Sequence, residues 1–139
     1  MVKQISVFLQ NRPGTLANLT KILLDKNINM RALTVADTAD YGIIRMIVDD
    51  PEKTLKVLKD NEYLVSETDV IAVEAMDKPG GLCEIATVLG EKNVNIEYLY
   101  TTLKQGKAIM IIRVSDVEEA TEALKNGGFK LVSEKELYE

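Results

Sequence analysis

The sequence predicts an α+β fold built twice, as two βαββαβ units in tandem over residues 1–68 and 69–139. Three observations predict it. The phrase Asn11-Arg-Pro-Gly-Thr-Leu16 returns as Asp77-Lys-Pro-Gly-Gly-Leu82, 66 residues on. The same offset then pairs Leu23 with Leu89, Lys26-Asn27-Ile28-Asn29 with Lys92-Asn93-Val94-Asn95, Leu33 with Leu99, Ile43 with Ile109, Val48 with Val114 and Asp50 with Asp116. Within each copy, stretches alternating every second residue give way to stretches with one apolar face at helical spacing. Near the ends, Leu64-Val-Ser-Glu67 matches Leu131-Val-Ser-Glu134 at an offset of 67, which places one extra residue around Gly127-Gly128. No Pro/Gly/Ser linker separates the copies, so the units are expected to pack closely.

Each element can be read in both copies. Ile5, Val7 and Leu9 alternate with Gln4, Ser6 and Gln10, the period of a half-buried strand; Val70 to Met76 is its counterpart. Asn11-Arg-Pro-Gly14 is a turn. The helix after it presents Leu16, Leu19, Ile22 and Leu23, or Leu82, Ile85, Val88 and Leu89, and ends at Asp25-Lys-Asn27. A second strand is expected from Ile28 to Val35, a turn at Asp37-Thr-Ala-Asp40, and a third strand from Tyr41 to Val48. Asp50-Pro51 starts a helix with a capping Asp and Pro at its first position. Asp116 does the same, with Glu119 three residues on. That helix buries Leu55 and Leu58, or Ala120, Ala123 and Leu124. A fourth strand begins near Tyr63 or Phe129. The order is the split-βαβ, ferredoxin-like one: an antiparallel sheet with both helices on one face.

Composition narrows the function. Of the 139 residues 46% are hydrophobic, enough for a packed core. No apolar run nears the ~20 residues that span a bilayer, and the start lacks a signal-peptide core; a cytoplasmic location is expected. The net charge is −5 with Lys and Arg scattered, whereas a nucleic-acid binder needs a basic stripe. Histidine is absent and Cys83 is the single cysteine. That removes the commonest general base, the commonest metal ligand and any internal disulfide. Cys83 reads as a small buried helix residue. No enzymatic activity, cofactor or metal is expected.

The phrase Val7-Phe-Leu-Gln-Asn-Arg-Pro-Gly-Thr-Leu16, followed by Lys26-Asn-Ile-Asn-Met30, resembles the ACT domain, a small regulatory module of amino-acid metabolism. The resemblance covers both copies. It implies a free amino acid bound where two such domains pair, against the turn after the first strand and the start of the second. Carried onto this chain, the implied ligand-binding residues are Asn11, Gly14 and Asn29 in copy one and Asp77, Gly80 and Asn95 in copy two. The serine-binding branch of the family has a histidine two residues before the turn Asn; Leu9 and Ala75 stand there here, so the amino acid stays open.

The residues suit this on their own chemistry. Gly14 and Gly80 lie at helix N-termini, where unpaired N–H groups attract a carboxylate. Asn11 or Asp77 accepts hydrogen bonds from an ammonium, and Asp77, being charged, is expected to hold it more firmly. Each also has a plain structural reading: a helix cap or Asx turn for Asn11 and Asp77, turn glycines, and asparagines bonding nearby backbone for Asn29 and Asn95. Tyr98 and Tyr100 have no aromatic counterparts in copy one; one of them lines a pocket, or they pack in the core or at the sheet edge. The reading overall is a freestanding amino-acid sensor that acts through a protein partner or through homo-oligomerisation, with no nucleic-acid or membrane partner. The alternative is a ligand-free interaction and oligomerisation module.

Overall fold

The computed structural model describes residues 1–37 and 41–139. The turn expected at Asp37–Asp40 falls on residues 38–40, outside the described ones. The chain divides into two compact units: Lys3–Thr68, and Asp69–Glu139 together with Met1–Val2. They are called the first and second unit below.

The first unit runs β1 (Val2–Gln10), α1 (Thr15–Asp25), β2 (Met30–Asp37), β3 (Tyr41–Val48) and α2 (Pro51–Asp60). β3 lies between β1 and β2, antiparallel to both, with Val7 opposite Ile44 and Val35 also opposite Ile44. Ile5, Val7, Leu9, Ile44, Met46 and Val48 share one core with Leu19 and Leu23 of α1 and Leu58 of α2. Both helices therefore cover the same sheet face. α2 starts as its sequence dictates: Pro51 takes the first position and Asp50 Oδ1 accepts from the Lys53 N–H at 3.1 Å.

The second unit has α3 (Gly81–Glu91), β5 (Ile96–Lys104), β6 (Lys107–Val114), α4 (Val117–Asn126), β7 (Leu131–Val132) and α5 (Glu134–Tyr138). β6 pairs antiparallel with β5 and with β4 (Leu64–Ala75), and β7 pairs antiparallel with β4. Ile71, Val73, Ile112 and Val114 form its core with Ile85 and Leu89 of α3 and Ala120, Ala123 and Leu124 of α4. Asp116 caps α4, accepting from Glu119 N–H at 3.0 Å.

All four long helices stop in the same way. Asn27, Glu62, Asn93 and Gly128 adopt positive φ of 57°, 66°, 58° and 84°. The next residue then donates back into the helix: Ile28 and Val94 to the carbonyls of Leu23 and Leu89 at 2.9 Å, Tyr63 and Phe129 to those of Leu58 and Leu124 at 3.0 Å. This is the Schellman closure. It accounts for the first asparagine of each repeated Lys-Asn-Ile/Val-Asn phrase, since asparagine tolerates the left-handed region better than most residues.

Four expectations need correction. The strands expected from Tyr63 and over Val70–Met76 are one strand, β4 (Leu64–Ala75). The second expected strand starts and ends about two residues later than the sequence suggests, at Met30–Asp37, because the helix closure uses Asn27 and Ile28. The extra residue of copy two is not at Gly127-Gly128. The equivalent helix closures pair Glu62 with Gly128 and Tyr63 with Phe129 at the old offset, so the added residue comes after Phe129. Last, Leu131-Val-Ser-Glu134 does not repeat the strand of Leu64-Val-Ser-Glu67. Only Leu131–Val132 is strand; Ser133 caps α5 in a reciprocal box with Glu136. The Ser133 hydrogen bonds, with Lys130 at 3.5 Å, hold the Glu136 carboxyl below its ordinary range.

Candidate functional site

Gly14 and Gly80 are the N-cap residues of α1 and α3, with φ of 89° and 98°. In that region glycine alone avoids steric cost. A Cβ at either would meet nothing within 4 Å. The backbone conformation demands the glycine, and the space before it is open. No side chain caps either helix, so Asn11 and Asp77 are not the capping residues that their plain reading suggested. The first intrahelical bonds run from Asn18 to Gly14 and from Glu84 to Gly80, both 3.0 Å. The N–H groups of Leu16, Ala17, Leu82 and Cys83 precede that ladder, at the positive end of each helix.

Asn11 and Asp77 are exposed on the turns. Asn11 Nδ2 donates to Asp37 Oδ1 at 2.7 Å, linking the turn to the last residue of β2. Asp37 was not among the residues the sequence singled out. At the repeat offset its counterpart is Leu103, just as the counterpart of Asn11 is Asp77. Each turn thus keeps one carboxylate: on the strand in the first unit, on the turn in the second. The paired swap Asn11/Asp77 and Asp37/Leu103 was the signal available in the sequence.

In the second unit the turn borders a groove of about 650 Å³. Met76 through Cys83 form one wall; Thr101 and Leu103 of the edge strand β5, with Ala108 and Met110 of β6, form the other. A second hollow of about 620 Å³ lies on the other side of the turn, towards Gly127-Gly-Phe129. Its Glu74 is already bridged by Lys107 and Lys130, each at 3.6 Å.

Asn29 and Asn95 are placed elsewhere. Their backbones close the opposite end of each sheet: Asn29 N–H donates to Asp49 Oδ1 at 3.2 Å, and Asn95 N–H to Ser115 Oγ at 3.0 Å. α1 and α3, of 11 residues each, separate these asparagines from Gly14 and Gly80 by roughly 16 Å at about 1.5 Å per residue. Within one unit the structure brings together turn and helix N-terminus, but not the second asparagine. Both asparagines are exposed.

Cys83 is exposed, against the expectation of burial. α3 turns Gly81, Ile85 and Leu89 inward, and Cys83, two residues from Gly81, lies about 200° round the helix. Leu16 and Leu82 stand about 60° round the helix from Leu19 and Ile85, on the expected face, but each is the second residue of its helix and is 44% or 42% exposed there. Tyr98 and Tyr100 lie opposite Arg113 and Ile111, on the sheet face away from the helices, and do not line the groove. Among the described residues no group of three or more His, Cys, Asp or Glu is placed to hold a metal ion. No helix among them is long and apolar enough to cross a membrane.

The chain is similar over 99% of its length, and 96% of the other's, to protein BT0572 from Bacteroides thetaiotaomicron, at 39% identity and a TM-score of 0.93. The regulatory subunit of aspartate kinase from Thermus thermophilus, in its ligand-free form, shares the fold at 16% identity and a TM-score of 0.67, with 90% of this chain and 91% of that one aligned. Aspartate kinase from Clostridium acetobutylicum shares it at 14% identity and a TM-score of 0.60; 90% of this chain covers 32% of that enzyme. No curated protein matches the sequence. The ACT domain pair family matches residues 1–139, and the chain belongs to that family.

Proposed function

We propose that this chain is a non-catalytic amino-acid sensor, built as two ferredoxin-like domains over residues 1–68 and 69–139. Each domain binds a free α-amino acid at its Pro-Gly turn, where ACT-like domains pair. One observation carries the reading: each turn joins an uncapped helix N-terminus to one carboxylate, Asp37 or Asp77. An amino-acid zwitterion needs that combination. Its carboxylate meets helix N–H groups behind Gly14 or Gly80. Its ammonium meets Asn11 with Asp37, or Asp77.

Asn29 and Asn95 stand at the far end of their own helices, so they join a site only when a paired domain presents them. Occupancy of such a shared site favours the paired arrangement over others, which is how a binding module without catalytic groups passes on a signal. The output goes to a regulated protein partner or to self-association, in the cytoplasm. The aspartate kinase regulatory subunit, of the same fold, supports a regulatory role.

A thermal-shift screen against the twenty amino acids tests this. A ligand at 100 times its dissociation constant adds about 2.7 kcal/mol of stability, so a binder raises Tm by several degrees. If none of the twenty shifts Tm, the chain is the ligand-free interaction module instead.

A further inference from the structure

We infer that the groove of the second unit selects amino acids with apolar side chains, and that the first unit does not share this preference. The inference rests on the amino-acid reading above and concerns the side chain, which that reading leaves open.

The groove combines a charged corner with an apolar wall. Asp77 and Lys78 are adjacent on the turn, and with the α3 N-terminus they match an ammonium and a carboxylate. The rest of the lining is Met76, Leu82, Leu103, Ala108 and Met110, relieved by Thr101 and Cys83. Three of these large apolar side chains remain in water: Leu103 is 75% exposed, Met76 46% and Leu82 42%. Single exposed leucines are ordinary, but several round one concavity mark a binding surface. Leu103 stands on an edge strand one residue from its end, a place where charged or polar residues normally protect the edge. An apolar ligand side chain laid against Leu103, Leu82 and Met110 removes that surface from water.

The first unit provides the contrast. At the repeat offset Met76 becomes Gln10, Leu103 becomes Asp37, Ala108 becomes Gly42 and Met110 becomes Ile44. The rim turns polar at two positions. An apolar side chain in the place of Leu103's partner would there desolvate the Asp37 carboxylate, which is unfavourable.

The test is calorimetric titration of the full chain with leucine, methionine and valine, and with serine, aspartate and lysine. Amide NMR shifts of Gly80, Leu103 and Gly14 report which turn responds. The apolar set should bind at the Gly80 and Leu103 amides at least about tenfold more tightly than the polar set. Leu103→Asp should erase that preference with Tm unchanged, because the side chain is exposed. If polar amino acids bind there as tightly, and Asp77→Ala still weakens them, the sensor reading stands and this inference fails. If none of the six perturbs either turn and the full twenty also fail, both fall. If Leu103→Asp alters self-association but no ligand affinity, the rim is a protein contact and the inference is overturned.

Discussion

The side-chain amide of Asn11 donates a 2.7 Å hydrogen bond to Asp37, across 26 residues of sequence. This bond ties the Pro-Gly turn to the end of β2 and brings a formal negative charge to a turn whose own residue is neutral. The expectation that Asp77 makes the second turn the stronger ammonium site loses its basis, since both turns have a carboxylate. Asp37→Ala should weaken amino-acid binding at the first turn by about 1.5–3 kcal/mol, and Asn11→Ala by about 0.5–1.5 kcal/mol, following the strengths of charged and neutral hydrogen bonds. Calorimetric titration of the two variants checks the order; Asn11→Ala costing more than Asp37→Ala would contradict it.

The turns differ one residue later. A Cβ on Gly81 would overlap the Met76 carbonyl oxygen. Thr15, its counterpart, fits, and its hydroxyl donates to the Arg12 carbonyl at 3.0 Å. Gly81→Ala should therefore destabilise the protein by about 1–3 kcal/mol, the usual range for overpacking against a fixed neighbour. A urea midpoint equal to wild type would show that the second turn relaxes at no cost.

Glu62 holds a φ of 66° at the position where the second unit has Gly128, at 84°. Glycine avoids the clash that a Cβ makes in this region, worth roughly 1–2 kcal/mol, and gives part of it back in backbone entropy. Glu62→Gly should raise stability by about 1 kcal/mol in chemical denaturation; a loss of stability would mean that the Glu62 side chain contributes more than its backbone costs.

Glu136 reports on the chain's last helix. Its carboxyl is lowered below the ordinary value of 4.5 by the Ser133 hydrogen bonds. A depressed acid stabilises α5 above the unfolded value and loses that contribution as pH falls through the folded value. Amide exchange at Leu137, whose N–H donates to Ser133 at 3.0 Å, should quicken as pH drops below 4.5 relative to the intrinsic rate, and Glu136→Gln, which removes the titrating group, should remove the pH dependence.

Much of this was legible because the chain contains its own comparison. At Gly14 and Gly80, and at Asp50 and Asp116, local backbone chemistry sets the residue type, the two copies agree and the structure follows them. Legibility fails where non-local surroundings decide. Leu-Val-Ser-Glu is strand at 64–67, where it opens the long β4, but at 131–134 only Leu131 and Val132 pair with β4 and Ser133 then caps α5. Free cysteine is usually buried, but α3 turns Gly81, Ile85 and Leu89 inward and leaves Cys83 exposed. The sequence places Asp37 in a turn; its role depends on β2 ending beside Asn11, which no spacing along the chain encodes. Asn29 and Asn95 sit in the phrase that carries the family likeness, but the length of the preceding helix keeps them from the turn of their own unit.

The central claim is that the two Pro-Gly turns are amino-acid sites, each with its own carboxylate. The most direct measurement is a calorimetric titration with the amino acid that gives the largest thermal shift, on wild type and on the Asp37→Ala, Asp77→Ala double variant. Wild type should bind saturably, and the variant should lose about 1.5 kcal/mol or more, roughly tenfold or greater in affinity, with folding intact. Undiminished binding to the variant would mean that the ligand sits elsewhere and that the turns serve structure alone.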